Sequence, residues 1–183
     1  MVILSFDPKT KLVERDKEIF LRLLGECVSL WAFLDRELFH LTKTALGTDN
    51  KRTAIVFYFR QDLTNHLTLV DKLMKHGVSE DHFLHKWRPL HKLITRHLAT
   101  RSIYAHQPTR RIGTGKNNRA FYYYSIYIEP AQQQLGADFK QGLGDKKELL
   151  AKDLRKHARS LQKLVKEVSD FHAFFKKHPK PNS

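Results

Sequence analysis

The stretch "TRSIYAHQ", residues 100–107, sets Arg101 and His106 five positions apart, just ahead of Pro108. A guanidinium stays charged and can fork two N–H donors onto phosphate oxygens. An imidazole titrates near neutrality, so it can take a proton from a hydroxyl nucleophile or return one to a leaving oxygen. Together these two groups suit phosphoryl chemistry that needs no metal, with the arginine stabilising the charge that builds on phosphorus. A site near a helix C-terminus would also favour the imidazolium, because the carbonyl end carries partial negative charge.

At about 100° per residue, Arg101 falls on one helical line with Trp87, Leu90, Ile94, Leu98 and Ala105. Ser102 and His91 flank that line. Arginine is seldom fully buried without a partner. Either a carboxylate supports it, for which Asp35 beside the first apolar seam is the candidate, or this surface is a cleft or a subunit interface.

The elements that would hold these residues are legible as stripes. From Lys11 to Leu46, Phe20, Leu24, Cys27, Trp31, Leu34, Leu38, Leu41 and Ala45 recur in alternating steps of 4 and 3, a heptad seam. Gly47 is a C-cap signal, and Thr48 or Asp49 can restart a second helix over about Lys51 to His76. Its buried line reads Val56, Phe59, Leu63, Leu67, Val70 and Met74, ending at Gly77. Ser79 N-caps a third helix that carries Glu80 and Asp81 in its first turn. Pro89 either kinks this helix or begins a new one. Asp145 and Glu148 resemble a capping box opening a last helix, with Leu150, Leu154, His157, Leu161, Leu164, Val168, Phe171 and Phe175 as its seam.

Between the third and last long helices the pattern changes. "RRIGTGKNNRAFYYYSIYIEP" is β-branched and aromatic around a Gly/Asn/Lys turn, which predicts a β-hairpin over about 109–128. The polar "EPAQQQLGADFKQGLG" then connects to the last helix. The expected fold is mainly α: an up-and-down four-helix bundle with a β-hairpin insertion. One domain spans 11–178, after an extension at 1–10 and before a fraying tail at 179–183. Arg110, Arg111, Lys116 and Arg119 lie among Tyr122, Tyr124 and their aromatic neighbours. Cations track phosphates and rings stack on bases, so the hairpin reads as an RNA-binding flap or as aromatics packed on the bundle.

The chain's 183 residues suffice for one buried core, and 41% hydrophobic with 28% charged residues excludes a disordered chain. A net charge of +14, from 33 Lys+Arg against 19 Asp+Glu, favours polyanionic partners, nucleic acid first. Lys152, Arg155, Lys156, Arg159, Lys163 and Lys166 form a basic face on the last helix, either simply solvated or an extension of that footprint. The single cysteine, Cys27, reads as a small core residue and points to a reducing cytoplasm. The opening "MVIL" run is too short for a signal peptide, and no segment has the length of a membrane span. His82, His85, His91 and His97 lack the carboxylate or thiolate partners of a metal set, so no metal is expected. "GTGK" at 113–116 lacks the spacing and the hydroxyl residue of a phosphate loop and reads as a turn. His157 on the last seam is either a satisfied core histidine or part of the same polar pocket as Arg101.

The order Arg, polar residue, three residues, His, late in the third helix of a bundle, resembles the signature of the HEPN superfamily. The small Ala105 before the histidine fits that pattern, while Ser102 stands where the family most often has asparagine or aspartate. Members are all-helical and often dimeric. Many are metal-independent endoribonucleases whose site forms where the signature helices of two subunits meet, and others are inactive scaffolds or antitoxin-paired toxins. The resemblance implies Arg101 and His106 as a catalytic pair at a homodimer interface, with Ser102 supporting, RNA as substrate and no cofactor. It also admits a non-catalytic RNA- or nucleotide-binding module, or one paired with a nucleotidyltransferase-type antitoxin.

Overall fold

A computed structural model describes residues 8–59, 62–106, 109–116, 119–127 and 148–178, with side chains described over 15–59, 62–104 and 149–178. The described chain is mainly helical. Two compact units divide it: unit one is Met1–Cys27 with Ala99–Ala158, and unit two is Val28–Leu98 with Arg159–Ser183. No helix among the described residues is long and apolar enough to cross a membrane.

Helix α1 runs Pro8–Leu46, beginning earlier than the apolar seam alone predicts, with proline in its first turn where no intrahelical N–H partner is needed. Its seam is buried at Phe20, Cys27, Trp31, Leu34, Leu38 and Leu41. Leu24 yields its place to Leu23, and Ala45 is half-buried. Thr42 is buried at the other end and returns its hydroxyl to Leu38 O at 2.9 Å. Gly47 takes a φ of 60°, the left-handed value that a helix C-cap requires and glycine adopts without strain.

The expected single helix from Lys51 to His76 is two helices. Helix α2 covers Asn50–Phe57, with Asp49 as N-cap accepting from Arg52 N, and α3 covers Leu63–Gly77. Asp62 N-caps α3 by accepting from Asn65 N at 2.8 Å, and that bond above all holds its carboxyl below the usual carboxylate range. A polar side chain that caps a new helix ends the old one, so the periodicity does not carry across the break. The predicted line is therefore right after it and wrong before it. Leu63, Leu67, Val70 and Met74 are buried, whereas Val56 is 46% and Phe59 83% exposed, and Thr53 and Phe57 fill the core instead.

Ser79 caps the next helical segment as expected, accepting from His82 N. A short turn α4 (Glu80–His82) opens into a π-helical turn over Phe83–Trp87, followed by α5 (Arg88–His106). The π turn answers the question that Pro89 posed. Arg88 N–H reaches back to Phe83 O, and this widened turn comes just before the residue that cannot donate and whose ring would crowd a regular turn. Trp87 is fully buried at the end of the turn, its indole N–H donating to Asp71 Oδ1 at 2.8 Å.

In unit one the backbone after α5 forms β1 (Thr109–Lys116), β2 (Arg119–Tyr127) and β3 (Glu148–Leu150), ordered β1-β2-β3 and antiparallel throughout. The register pairs Thr109 with Ile126, Lys116 with Arg119, and Ser125 with Leu150. Helix α6 covers Ala151–Lys177. It starts later than the Asp145/Glu148 signal implies. Asp145 lies outside the described residues and Glu148 pairs with Tyr127 in the sheet. Asp153 takes over the capping role, accepting from Leu150 N at 3.0 Å. The α6 seam is buried at Leu154, Leu161, Leu164, Val168, Phe171 and Phe175, with Ala158 in the place expected for His157. The tail at 179–183 is outside the described residues.

The core of unit one holds Phe20, Leu23, Cys27, Ile103, Tyr104, Leu149, Leu154 and Ala158. Unit two buries Trp31, Leu34, Leu38 and Leu41 of α1 together with Phe57, the α3 line, Trp87, Ile94 and the α6 seam from Leu161 onward.

Candidate functional site

Within unit one, α5 is helical through His106, so the backbone of the "TRSIYAHQ" motif is described as far as that residue. Ile103 and Tyr104 anchor this stretch, at 0% and 7% exposure. The Tyr104 hydroxyl lies 3.3 Å from His157 Nε2, with the rings edge to face, which makes His157 a half-buried, hydrogen-bonded histidine. Arg101 is half-buried rather than on the core line, and Ser102 is exposed. Leu98 is also half-buried. Beyond it, α5 packs within unit one, and the buried positions turn to Thr100, Ile103 and Tyr104. That rotation moves Arg101 off the stripe extrapolated from Trp87, Leu90 and Ile94.

Among the described residues Arg101 makes no ion pair. The side chains of His106, Arg110, Arg111, Lys116, Arg119, Tyr122 and Tyr124 lie outside the described residues. Their backbone register sets Arg111 opposite Tyr124, Arg110 opposite Ser125 and Gly113 opposite Tyr122. The cations of the α6 basic face, Lys152, Arg155, Lys156, Arg159, Lys163 and Lys166, are all exposed, and Lys163 alone of them has an ion pair among the described residues, with Glu167 at 3.7 Å.

Asp35, the expected carboxylate for Arg101, is engaged elsewhere. In unit two, His66 Nδ1–H donates to Asp35 Oδ1 at 2.7 Å. His66 is 4% exposed, and its ring stacks on Phe57 at 4.0 Å and meets Tyr58 edge-on at 5.7 Å. Burial, then the charge of Asp35, raises the Tyr58 phenol above its usual value. His66 Nε2 is buried without a hydrogen-bond partner among the described residues. This dyad was missed in the sequence, although a signal existed: His66 sits on the stripe Leu63, Leu67, Val70 at helical spacing, the sort of polar intrusion that drew attention to Arg101.

Several other histidines of unit two have ordinary partners. His82 meets Phe174 edge to face at 4.8 Å, His85 lies 3.6 Å from Asp81, and His97 lies 3.2 Å from Ser160 Oγ. Burial lowers His97 below its usual value. His172 stacks in parallel with His40 and pairs with Thr44 Oγ1 at 2.9 Å. Burial, then the nearby Lys176 and His40, push it down to about 4. Among the described residues no three His, Cys, Asp or Glu side chains gather as a metal site. In unit one, burial and then Glu26 push the Cys27 thiol up to about 11, and the thiol donates to Leu154 O at 3.6 Å, so it is held as a packed, protonated group.

No family model matches the chain, and no curated protein or solved structure matches it at a significant level.

Proposed function

We propose that the chain is a metal-independent endoribonuclease of HEPN-like architecture, an up-and-down four-helix bundle carrying a hairpin insertion. Arg101 would hold the scissile phosphate and His106 would act as general acid or base, at the interface of a homodimer. One observation carries the reading: Arg101 is half-exposed beside an exposed Ser102 with no ion-pair partner among the described residues, while the carboxylate expected to neutralise it, Asp35, accepts from His66. An arginine that is not consumed by a structural salt bridge is available to a phosphate. The net charge of +14 and the exposed cations of α6 supply the sequence-independent attraction that RNA binding needs.

Helix geometry bears on the oligomer. Positions five apart on an α-helix are separated by about 140° around the axis and about 7.5 Å along it. In the proposed homodimer, two copies of α5 related by a twofold axis would bring one subunit's arginine together with the other's histidine across that separation.

Attack by the 2′-OH leaves a 2′,3′-cyclic phosphate. The test incubates structured RNA with the wild-type protein, Arg101→Ala and His106→Ala in EDTA, with fold checked by circular dichroism and mass by size exclusion. Cleavage by the wild type to cyclic-phosphate ends, lost in both variants, is the expected result. A 5′-phosphate product, or no cleavage by any form, ends this mechanism. A micromolar monomer rejects the shared groove.

A further inference from the structure

A cavity of about 720 Å³ in unit two lies where the end of α3, the π turn and the start of α5 come together, and the proposed chemistry does not use it. Its volume is that of a small-molecule site and far above that of a single water. Three cations line it, Lys75 from α3 and Arg88 and Lys92 from α5, and all three are exposed. None of them makes an ion pair among the described residues. For Lys75 the missing partner is identifiable. Asp71, four residues earlier, stands in the favourable order for an intrahelical pair, but its carboxylate accepts from the Trp87 indole at 2.8 Å instead. On α5, Arg88 and Lys92 stand one turn apart, a spacing at which like charges repel, and no acidic residue occurs anywhere along that helix to relieve them. His91 lines the same cavity, half-buried against the Trp87 ring at 6.1 Å, and its own ring makes no hydrogen bond among the described residues.

Glu80, the other carboxylate of the lining, belongs to the first turn of α4 behind its Ser79 cap, where a helix end favours negative charge. Cations thus outnumber acids around the cavity by three to two, with the His91 ring as a further N–H donor. The rest of the lining is apolar: Val78, Phe83 and Leu84, the last 38% exposed, so apolar surface stands open beside the cations. We infer that this cavity binds a small phosphomonoester carrying an apolar or aromatic group, its phosphate held by Arg88, Lys92 and Lys75 with His91 donating, and its apolar part against Phe83 and Leu84. A phosphate brings about two negative charges and three acceptor oxygens, enough to bridge cations on two helices and to relieve the repulsion on α5; a carboxylate brings one charge and two oxygens. The π turn that supplies Phe83 and Leu84 suits that role, since such turns recur at functional sites.

The test is calorimetric titration of the full chain, at one ionic strength, with phenyl phosphate, inorganic phosphate, benzoate, benzyl alcohol and a 5′-phosphorylated RNA trinucleotide. Phenyl phosphate is expected to bind at one site per chain, roughly tenfold more tightly than inorganic phosphate or benzoate, with benzyl alcohol weaker still. Arg88→Gln and Lys92→Gln, at exposed positions outside the core, should each weaken phenyl phosphate by about tenfold, the margin of one charge-assisted hydrogen bond. Leu84→Ser should weaken phenyl phosphate and spare inorganic phosphate. Lys51→Gln removes an exposed charge of α2 that does not line the cavity, and should leave binding unchanged. An equal loss in Lys51→Gln reduces the effect to the net charge of +14 and overturns the site. Equal affinity for phenyl phosphate and for inorganic phosphate or benzoate, or no binding at millimolar ligand, also overturns it. Tighter binding of the trinucleotide than of phenyl phosphate overturns the assignment to a small free molecule. No readout here depends on RNA cleavage through Arg101 and His106.

Discussion

Arg101 in unit one and His66 in unit two are the same kind of residue on paper, a polar group set into an apolar helical stripe, and the fold treats them oppositely. His66 is buried, given a carboxylate at 2.7 Å and roofed by an aromatic ring at 4.0 Å. Arg101 is turned to the edge of its helix face beside an exposed serine. The difference follows from what each can do without water. A neutral imidazole can enter a core if one nitrogen is satisfied, whereas a guanidinium carries its charge and five N–H donors wherever it goes. One histidine thus became part of the scaffold, and one arginine stayed where a ligand can reach it.

The largest expected effect would separate the two regions by function. Arg101→Ala should lower RNA cleavage by at least about 10²-fold while leaving the melting temperature nearly unchanged, since a half-exposed arginine holds little of the core together. A variant that melts early would make Arg101 structural and collapse the contrast. Asp35→Ala should do the reverse in a thermal melt. It strands the Nδ1–H of a buried His66 and costs about 2–3 kcal/mol, with the double variant Asp35→Ala/His66→Phe recovering part of the loss.

The third effect concerns pH. The folded value for His172 lies near 4, below the ordinary 6.5 of an exposed histidine, so the unfolded chain binds the proton more readily. Its stabilising contribution is complete above about pH 6.5 and is lost as pH falls toward 4. Unfolding free energies from urea titrations should fall across that window by about 2 kcal/mol, and His172→Gln should flatten the decline. The smallest effect tests local order alone: Asp49→Ala removes the cap on Arg52 N at the start of α2 and should cost about 1 kcal/mol without altering cleavage.

How much could be read in advance varies element by element. The α1 and α6 seams could be read almost residue by residue, because a long helix repeats its buried face and a few positions set the phase for the rest. The caps at Asp49 and Ser79 were legible from residue type. The break at Asp62 was not weighed against the continuing apolar pattern, and the buried line before it failed at Val56 and Phe59 for that reason. The π turn before Pro89 had no sequence signature beyond the proline itself. Arg101 was legible as a polar residue in an apolar context, but its exposure depended on where α5 changes neighbours after Leu98. His66 carried the same signal and passed unnoticed.

What the amino-acid order determined by itself was local: helical phase, caps, the left-handed glycine at 47 and the excess of positive charge. These depend on residues within a turn or two of one another, or simply on composition. The partner of each buried polar group was decided by tertiary structure. Asp35 and His66 are 31 positions apart, and in a chain with 19 acids and 11 histidines no local pattern singles that pair out. Only the packing of α1 against α2 and α3 selects which carboxylate meets which histidine, because a hydrogen bond of 2.7 Å requires two backbones to be held at one distance and angle.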